Sequence, residues 1–276
     1  MSVKMGMNRR LCLITGASSG IGAEFAKQYA ALGWDLALTA RRADRLQVLA
    51  AELHARHGVL VEVIPEDLAN PGAPPRIIAA LEGKGREIDA LVNNAGYGLP
   101  GTFLSTSWSD QADFLQVLYT APVELTHRVL PGMAARGFGR IINVASLAGY
   151  TAGSAGHTLY GSVKSAMIKF SESVAAECET LGHKDVHCTA LCPGFTWSEF
   201  HDVNGMRETT NKMPKWMWME AAPVVKAGIE AVNRGQPVVV PGVFNKAVAT
   251  LTRILPEPVG RALAHSQTAR YRKLEG

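Results

Sequence analysis

The sequence predicts an α/β fold, a doubly wound parallel sheet of about seven strands with helices on both faces. Three observations carry this. Short apolar runs recur along the chain with helix-length segments between them. The first run feeds directly into a glycine-rich turn, Thr15-Gly16-Ala17-Ser18-Ser19-Gly20-Ile21-Gly22. And 276 residues, 47% apolar and 19% charged, fit one large domain with a sizeable core better than two ordinary ones.

Taken in order, Leu11–Thr15 reads as a buried strand and 21–32 as the helix after the turn. Asp35–Thr39 is the second strand. Ala43–His57 is the second helix, with Leu46, Leu49, Ala50 and Leu53 on one face. A strand over 59–64, a helix over 74–81 and a strand over 89–93 follow. A long helical region spans about 110–135, then come a strand over 140–145, a helix over 158–181 and a strand over Val186–Leu191. A helix over 223–234 and a strand over 237–240 close the alternation. Each crossover must be right-handed and must cover the sheet, so helices are expected on both sides.

Bulk properties exclude several function classes. A net charge of +4 falls well short of a nucleic-acid footprint, so no nucleic-acid partner is expected. Cys12, Cys178, Cys188 and Cys192 form no CxxC pair and read as buried, reduced thiols of a cytosolic protein. His183, His187, Cys188 and Cys192 lie close in sequence. A strand would turn their side chains to opposite faces, so no metal site is expected. Lys4, Arg9 and Arg10 precede an apolar stretch too short for a signal-peptide core, and no run approaches the length of a membrane span. A cytoplasmic protein is the expectation.

A strand, glycine turn and helix in succession offer free backbone N–H groups and a helix N-terminus to a pyrophosphate. Gly16 permits the tight turn, Gly20 lets the backbone approach a phosphate, and Gly22 lets the helix pack closely. The spacing is GxxxGxG. Asn93-Asn94-Ala95-Gly96 ends the fourth strand at the same carboxyl edge and adds weight to a turn that is weak evidence alone.

Downstream lie Ser146, Tyr160 and Lys164. Tyr160 and Lys164 are one helical turn apart and share a face. An ammonium beside a phenol favours phenolate, so the Tyr160 pKa is expected to fall, and the phenol can give a proton to an alkoxide or take one from an alcohol. Ser146 follows a strand, which places its hydroxyl at the sheet edge to stabilise a developing oxyanion. A Tyr-x-x-x-Lys pair also arises on ordinary amphipathic helices; the combination with the cofactor turn is what points to catalysis.

TGASSGIG, NNAG, Ser146, YGSVK and PGFT, in this order, resemble the short-chain dehydrogenase/reductase family over roughly residues 10–240. The resemblance implies a single-domain Rossmann-type fold with a small substrate lid. It implies Ser146, Tyr160 and Lys164 as catalytic residues, with Tyr160 and Lys164 also touching the cofactor. The cofactor would further meet Gly16, Ser18, Ser19, Gly20, Ile21, Gly22, Asn94, Ala95 and Gly96. Asp67 and Leu68 would meet the adenine, and Pro193, Gly194 and Thr196 the nicotinamide. Where an NAD enzyme of this family usually places an acid, Ala40 stands here, followed by Arg41 and Arg42, a charge suited to the 2′-phosphate of NADP(H).

Two departures stand out. Leu118 occupies the position where the family usually has an asparagine that holds a water of the proton relay. The spacing from Ser146 to Tyr160 is one residue longer than usual, in a stretch rich in Gly and Ala.

Residues 196–220 read as the lid, with Trp197, Phe200, Met206, Met213, Trp216, Met217, Trp218 and Met219 offering an adaptable apolar wall or simply packing against the core or a second subunit. In the C-terminal extension, 242–276, the stretch 243–255 is amphipathic, and Arg261, Arg270, Arg272 and Lys273 follow. A packed terminal helix with a solvated basic end is preferred there over a subunit contact or a peripheral membrane contact. The expected function is an NADPH-dependent reduction of a lipophilic ketone or aldehyde, reversible, in a homodimer or homotetramer. The alternative is a regulator or scaffold that keeps the fold and cofactor and has lost turnover.

Overall fold

The computed structural model describes residues 9–99, 101–153, 155–156, 158–199, 214–256 and 258–262. Lys4, Phe200, Met206, Met213, Arg270, Arg272 and Lys273 lie outside the described residues. Seven parallel strands form one sheet in the order β3-β2-β1-β4-β5-β6-β7. They are β1 (Leu11–Thr15), β2 (Asp35–Thr39), β3 (Val61–Val63), β4 (Ala90–Asn93), β5 (Gly139–Val144), β6 (Val186–Leu191) and β7 (Val238–Val239). Every residue of β1, β2 and β4 is buried, as continuous apolar runs covered on both faces must be. The two sheet-edge strands, β3 and β7, are shorter than the sequence suggests, because each has one neighbour to pair with.

Side-chain alternation along β1 divides the core. Leu11 and Leu13 pack with Ile77 and Leu81 of α3 (Ala73–Glu82), Phe114 of α4 (Trp108–Leu115), Leu125 of α5 (Ala121–Arg136) and Val163 of α6 (Thr158–Thr180). Cys12 and Ile14 face the opposite layer: Phe25 and Tyr29 of α1 (Gly20–Ala31), Leu46 and Leu49 of α2 (Ala43–His57), and Val224 and Ile229 of α7 (Ala221–Asn233). The helix after β7, α8, spans Val243–Ile254. Among the described residues no helix is long and apolar enough to cross a membrane.

The helical region expected over 110–135 is not one regular helix. A π-helical turn, Gln116–Thr120, separates α4 from α5, and the Ala121 N–H reaches back five residues to the Gln116 carbonyl. Pro122 supplies the physical reason: it has no N–H to give the Leu118 carbonyl, so the regular ladder has to change register there.

Candidate active site

The glycine turn and the end of β4 are joined through Thr15. Its hydroxyl donates to the Val92 carbonyl (3.3 Å) and accepts from the N–H groups of Asn94 (2.9 Å) and Ala95 (3.0 Å). The Asn94 amide donates to the Thr15 and Gly16 carbonyls at 2.9 and 3.2 Å. Gly16 sits at φ +65°, in the left-handed region that favours glycine. Gly22 is required by contact: a Cβ there would lie 2.3 Å from the Gly16 carbonyl oxygen and 2.5 Å from the Asn94 amide nitrogen. Gly96 packs towards Leu118.

α1 begins at this turn with Ser19 as its N-cap, no side-chain cap hydrogen bond and no acidic residue in its first turn. A helix N-terminus of that kind, behind a loop with no Cβ at its closest approach, fits a dinucleotide pyrophosphate. Arg42 lies across the same turn, donating from Nε and Nη2 to Ser18 Oγ (3.2 and 2.9 Å) and from Nη2 to Ser19 Oγ (2.8 Å). Arg41 is exposed, and its charge bears on Tyr97.

Asp67, also exposed, accepts from the Ala69 N–H (3.0 Å) in its own loop, while the Leu68 side chain is part of the core. Ile21 packs against the α1–α2 layer. The Pro193 carbonyl accepts from the Leu147 N–H (2.8 Å), Gly194 abuts Asn245 of α8, and Thr196 Oγ1 donates to the Gly194 carbonyl (3.2 Å).

Ser146 opens the turn into a short 3-10 helix (Leu147–Gly149); its Oγ accepts from the Ala148 N–H (3.1 Å), and its hydroxyl lies near enough to the Tyr160 phenol to favour phenolate. Lys164 sits on the same face of α6. Its Nζ is 5.7 Å from the Tyr160 ring centroid and donates to the Val144 carbonyl at 2.7 Å. The longer Ser146–Tyr160 connection therefore leaves the two hydroxyls near one another. Tyr150, within it, has the Arg253 guanidinium 4.6 Å from its ring, which ties the connection to α8. Behind the site, the Asn93 amide donates to Asn143 Oδ1 (2.8 Å), and the Asn143 amide donates to Ser171 Oγ (2.9 Å). This buried chain locks β4, β5 and α6 together.

One electrostatic expectation is corrected. The Tyr160 pKa is raised, because burial of the phenol outweighs the Ser146 hydrogen bond. Lys164 carries the complementary effect: burial lowers its pKa from 10.5 to about 8. Because that folded value lies below the free-lysine value, the folded state is penalised while the ammonium is charged. The penalty is complete below about pH 8 and is relieved as pH rises towards 10.5. Relative to a Lys164→Met variant, wild-type stability should rise by about 2 kcal/mol between pH 7 and 9.5 in urea denaturation. A flat difference would mean the ammonium is as well solvated as in the unfolded chain.

Leu118 is buried within the π turn and belongs to the core, so no polar side chain stands at that position. Of the groups considered for metal, the His187 ring lies 2.8 Å from the Val232 carbonyl and Cys188 is buried 3.6 Å from the Asn143 amide. Among the described residues no three His, Cys, Asp or Glu side chains converge.

Three parts of the site escape a sequence reading. The Thr15 hydroxyl is the hub of the turn, signalled only by its place at the end of β1. The Val144 carbonyl holds Lys164, and backbone groups leave no sequence signal. The third is a narrow cleft open to solvent beside Tyr160, about 10 Å³ in volume, lined by Leu99, Phe103, Phe114 and Leu159 with Thr102 and Gln111 among the polar groups. The described aromatic residues after β6 meet one another and α8: Trp197 stacks on Trp218 (4.1 Å), Phe195 tilts onto Trp218 (5.3 Å), and Trp216 meets Phe244 of α8 edge-on (4.8 Å).

A family model described as short chain dehydrogenase matches residues 10–208. A sulfoacetaldehyde reductase of Chromohalobacter salexigens is 37% identical over 189 residues, 68% of this chain and 72% of the relative. The fold matches that of a short-chain dehydrogenase from Sphingobium yanoikuyae in complex with NADPH, with TM-score 0.77 and 30% identity, covering 90% of this chain and 96% of the other. It also matches a bulky-bulky ketone specific alcohol dehydrogenase from Comamonas testosteroni, with TM-score 0.73 and 28% identity, covering 91% and 96%. A dinucleotide turn and a serine, tyrosine and lysine gathered at one sheet edge thus come with relatives of one kind, and the chain belongs to the short-chain dehydrogenase family of NAD(P)-dependent oxidoreductases acting on alcohol and carbonyl groups.

Proposed function

We propose that the protein is an NADPH-dependent reductase of a lipophilic ketone or aldehyde, reversible in principle. The observation that carries this reading is the gathering of Ser146, Tyr160 and Lys164, with the Lys164 ammonium held by the Val144 carbonyl 5.7 Å from the Tyr160 ring centroid. The cofactor, when bound, supplies the hydride. Tyr160 gives its phenolic proton to the oxygen of the reduced carbonyl. A phenol whose pKa is raised keeps that proton at neutral pH, which suits reduction. Ser146 donates to the carbonyl oxygen as negative charge develops there. Lys164, held by the Val144 carbonyl, keeps a positive charge next to the phenol as the proton departs.

The glycine turn, with Gly20, Ile21, Asn94 and Ala95 around it, would hold the dinucleotide. Asp67 and the Leu68 backbone would take the base, Pro193, Gly194 and Thr196 the carboxamide end, and Arg42 with its neighbour Arg41 the 2′-phosphate. The NADPH-bound relative and the ketone-specific one support the same choices of cofactor and substrate class. Residues 196–220 would cover the substrate, and a cytoplasmic homodimer or homotetramer is the assembly we expect.

The test is NADPH oxidation by the purified protein against apolar ketones and aldehydes of graded size. Turnover should rise with apolar bulk across the series and fall once the substrate outgrows the space beside Tyr160. If NADPH binds and no carbonyl of the series turns over, the chain is a cofactor-binding regulator in which Leu118 has ended the proton relay.

A further inference from the structure

Arg42 is shared between two partners. Its Nε and Nη2 face the hydroxyls of Ser18 and Ser19, while Nη1 donates to the Glu199 carboxylate at 3.0 Å. Arg45, one helical turn along α2, donates from Nη1 to both oxygens of the same carboxylate, at 2.7 and 2.9 Å. Glu199 is 157 and 154 residues from these arginines, so local chain geometry does not impose the contact. It is a tertiary arrangement in which two guanidinium groups converge on one anion while one of them, Arg42, also holds the serine end of the glycine turn. The two arginines hold the Glu199 carboxyl below the usual carboxylate range.

The backbone leading to Glu199 is fixed on one side. Trp197 N–H donates to the Met219 carbonyl (2.9 Å), Met219 N–H donates to the Phe195 carbonyl (2.9 Å), and Thr196 bridges Met219. The next two residues then lie on the glycine turn itself. A Cβ at Gly20 would come within 2.9 Å of the Ser198 Cβ, so Ser198 rests directly on the point where the turn is barest. Residues 198 and 199 therefore cover the N-terminal end of α1 and fill its adjoining anion receptor.

We propose that Glu199 is an internal anion seated in the receptor for a nucleotide 2′-phosphate, and that Arg45 is a further arginine of that receptor beside Arg42 and Arg41. The proposal rests on the NADP(H) reading above. A guanidinium fork accepts a carboxylate or a phosphate by the same paired N–H···O geometry, so the two anions compete for one site. The competition favours the phosphate. Both ion pairs of Glu199 are half exposed, a setting in which such pairs stabilise little, and a phosphate monoester brings more than one negative charge against a single carboxylate. Displacing Glu199 also lifts Ser198 from Gly20, so the 2′-phosphate would open the turn to the rest of its own dinucleotide. NADH, which carries no such group, would have to open it unaided. Glu199 thereby acts as a specificity-determining residue without touching the reacting atoms.

The experiment uses the full chain and reads binding, not turnover. Wild type, Glu199→Gln, Arg45→Met and Arg42→Met are titrated with 2′-AMP, 5′-AMP, NADPH and NADH, followed by calorimetry and by the fluorescence of Trp197, two residues from the carboxylate. Glu199→Gln should tighten 2′-AMP about fivefold and leave 5′-AMP within twofold, the scale expected when one half-exposed ion-pair partner is removed. Arg45→Met should weaken 2′-AMP and NADPH by a similar factor and spare 5′-AMP. Unchanged or weaker 2′-AMP binding in Glu199→Gln, with wild-type preference for NADPH intact, overturns the internal anion alone. Equal wild-type affinity for NADPH and NADH, insensitive to Arg42→Met, overturns the NADP(H) reading and this proposal with it.

Discussion

Replacing Tyr160 with phenylalanine is expected to reduce carbonyl turnover by about 10³-fold while leaving cofactor affinity within a few-fold of wild type. The first figure is the usual worth of a positioned general acid. The second follows from packing, since the phenylalanine ring keeps the contacts that Tyr160 makes with the apolar layer of α4 and α6. Only the hydroxyl is lost, and with it the group that carries the proton. Single-turnover measurement at saturating NADPH isolates this step from product release. Loss confined to KM would assign Tyr160 to substrate binding. Loss within tenfold would send the proton by another route and leave Tyr160 as the floor of the cleft.

Gly22→Ala should be the most disruptive single-methyl change in the cofactor half of the molecule. The added carbon would lie 2.3 Å from the Gly16 carbonyl oxygen and 2.8 Å from its carbon, both backbone atoms that cannot swing aside. Relief requires α1 to lift from the turn or the Asn94 amide to release the Thr15 and Gly16 carbonyls. Overpacking of this kind costs about 3 kcal/mol, equivalent to a fall of roughly 10 °C in Tm for a chain of this size. NADPH binding should be lost in parallel. Gly153→Ala is the matched control: nothing lies within 4 Å of the carbon it adds, so Tm should stay within about 1 °C. An unchanged Tm in Gly22→Ala would show that α1 does not need its close seat on β1.

What was legible in the sequence, and what was not, divides by the range of the forces involved. Strands such as β1 and β2 are readable because burial on both faces demands an unbroken apolar run. The serine, tyrosine and lysine are readable because a strand end and one helical turn are fixed geometries. The π turn was masked by a periodic apolar pattern that reads as a plain helix, although Pro122 is a local sign that the ladder must shift. The direction of the Tyr160 pKa was misjudged because neighbouring charge can be read from spacing, whereas the burial that outweighs it belongs to the folded chain. Glu199 on Arg42 and Arg45, and the cleft walled by Leu99 and Phe103, are long-range meetings of irregular segments. No period or motif announces them.

The position of β1 between β2 and β4 has a consequence for how the molecule comes into being. Thr15 meets Asn94 at a sequence separation of 79, and no shorter closure can form the crevice between them. Chain entropy must be spent on that long loop before any contact there returns a gain, which makes the crevice slow to nucleate. During synthesis β1, the glycine turn and β4 are all made before Ser146, Tyr160 and Lys164, so the seam between Thr15 and Asn94 can close before the rest of the site exists.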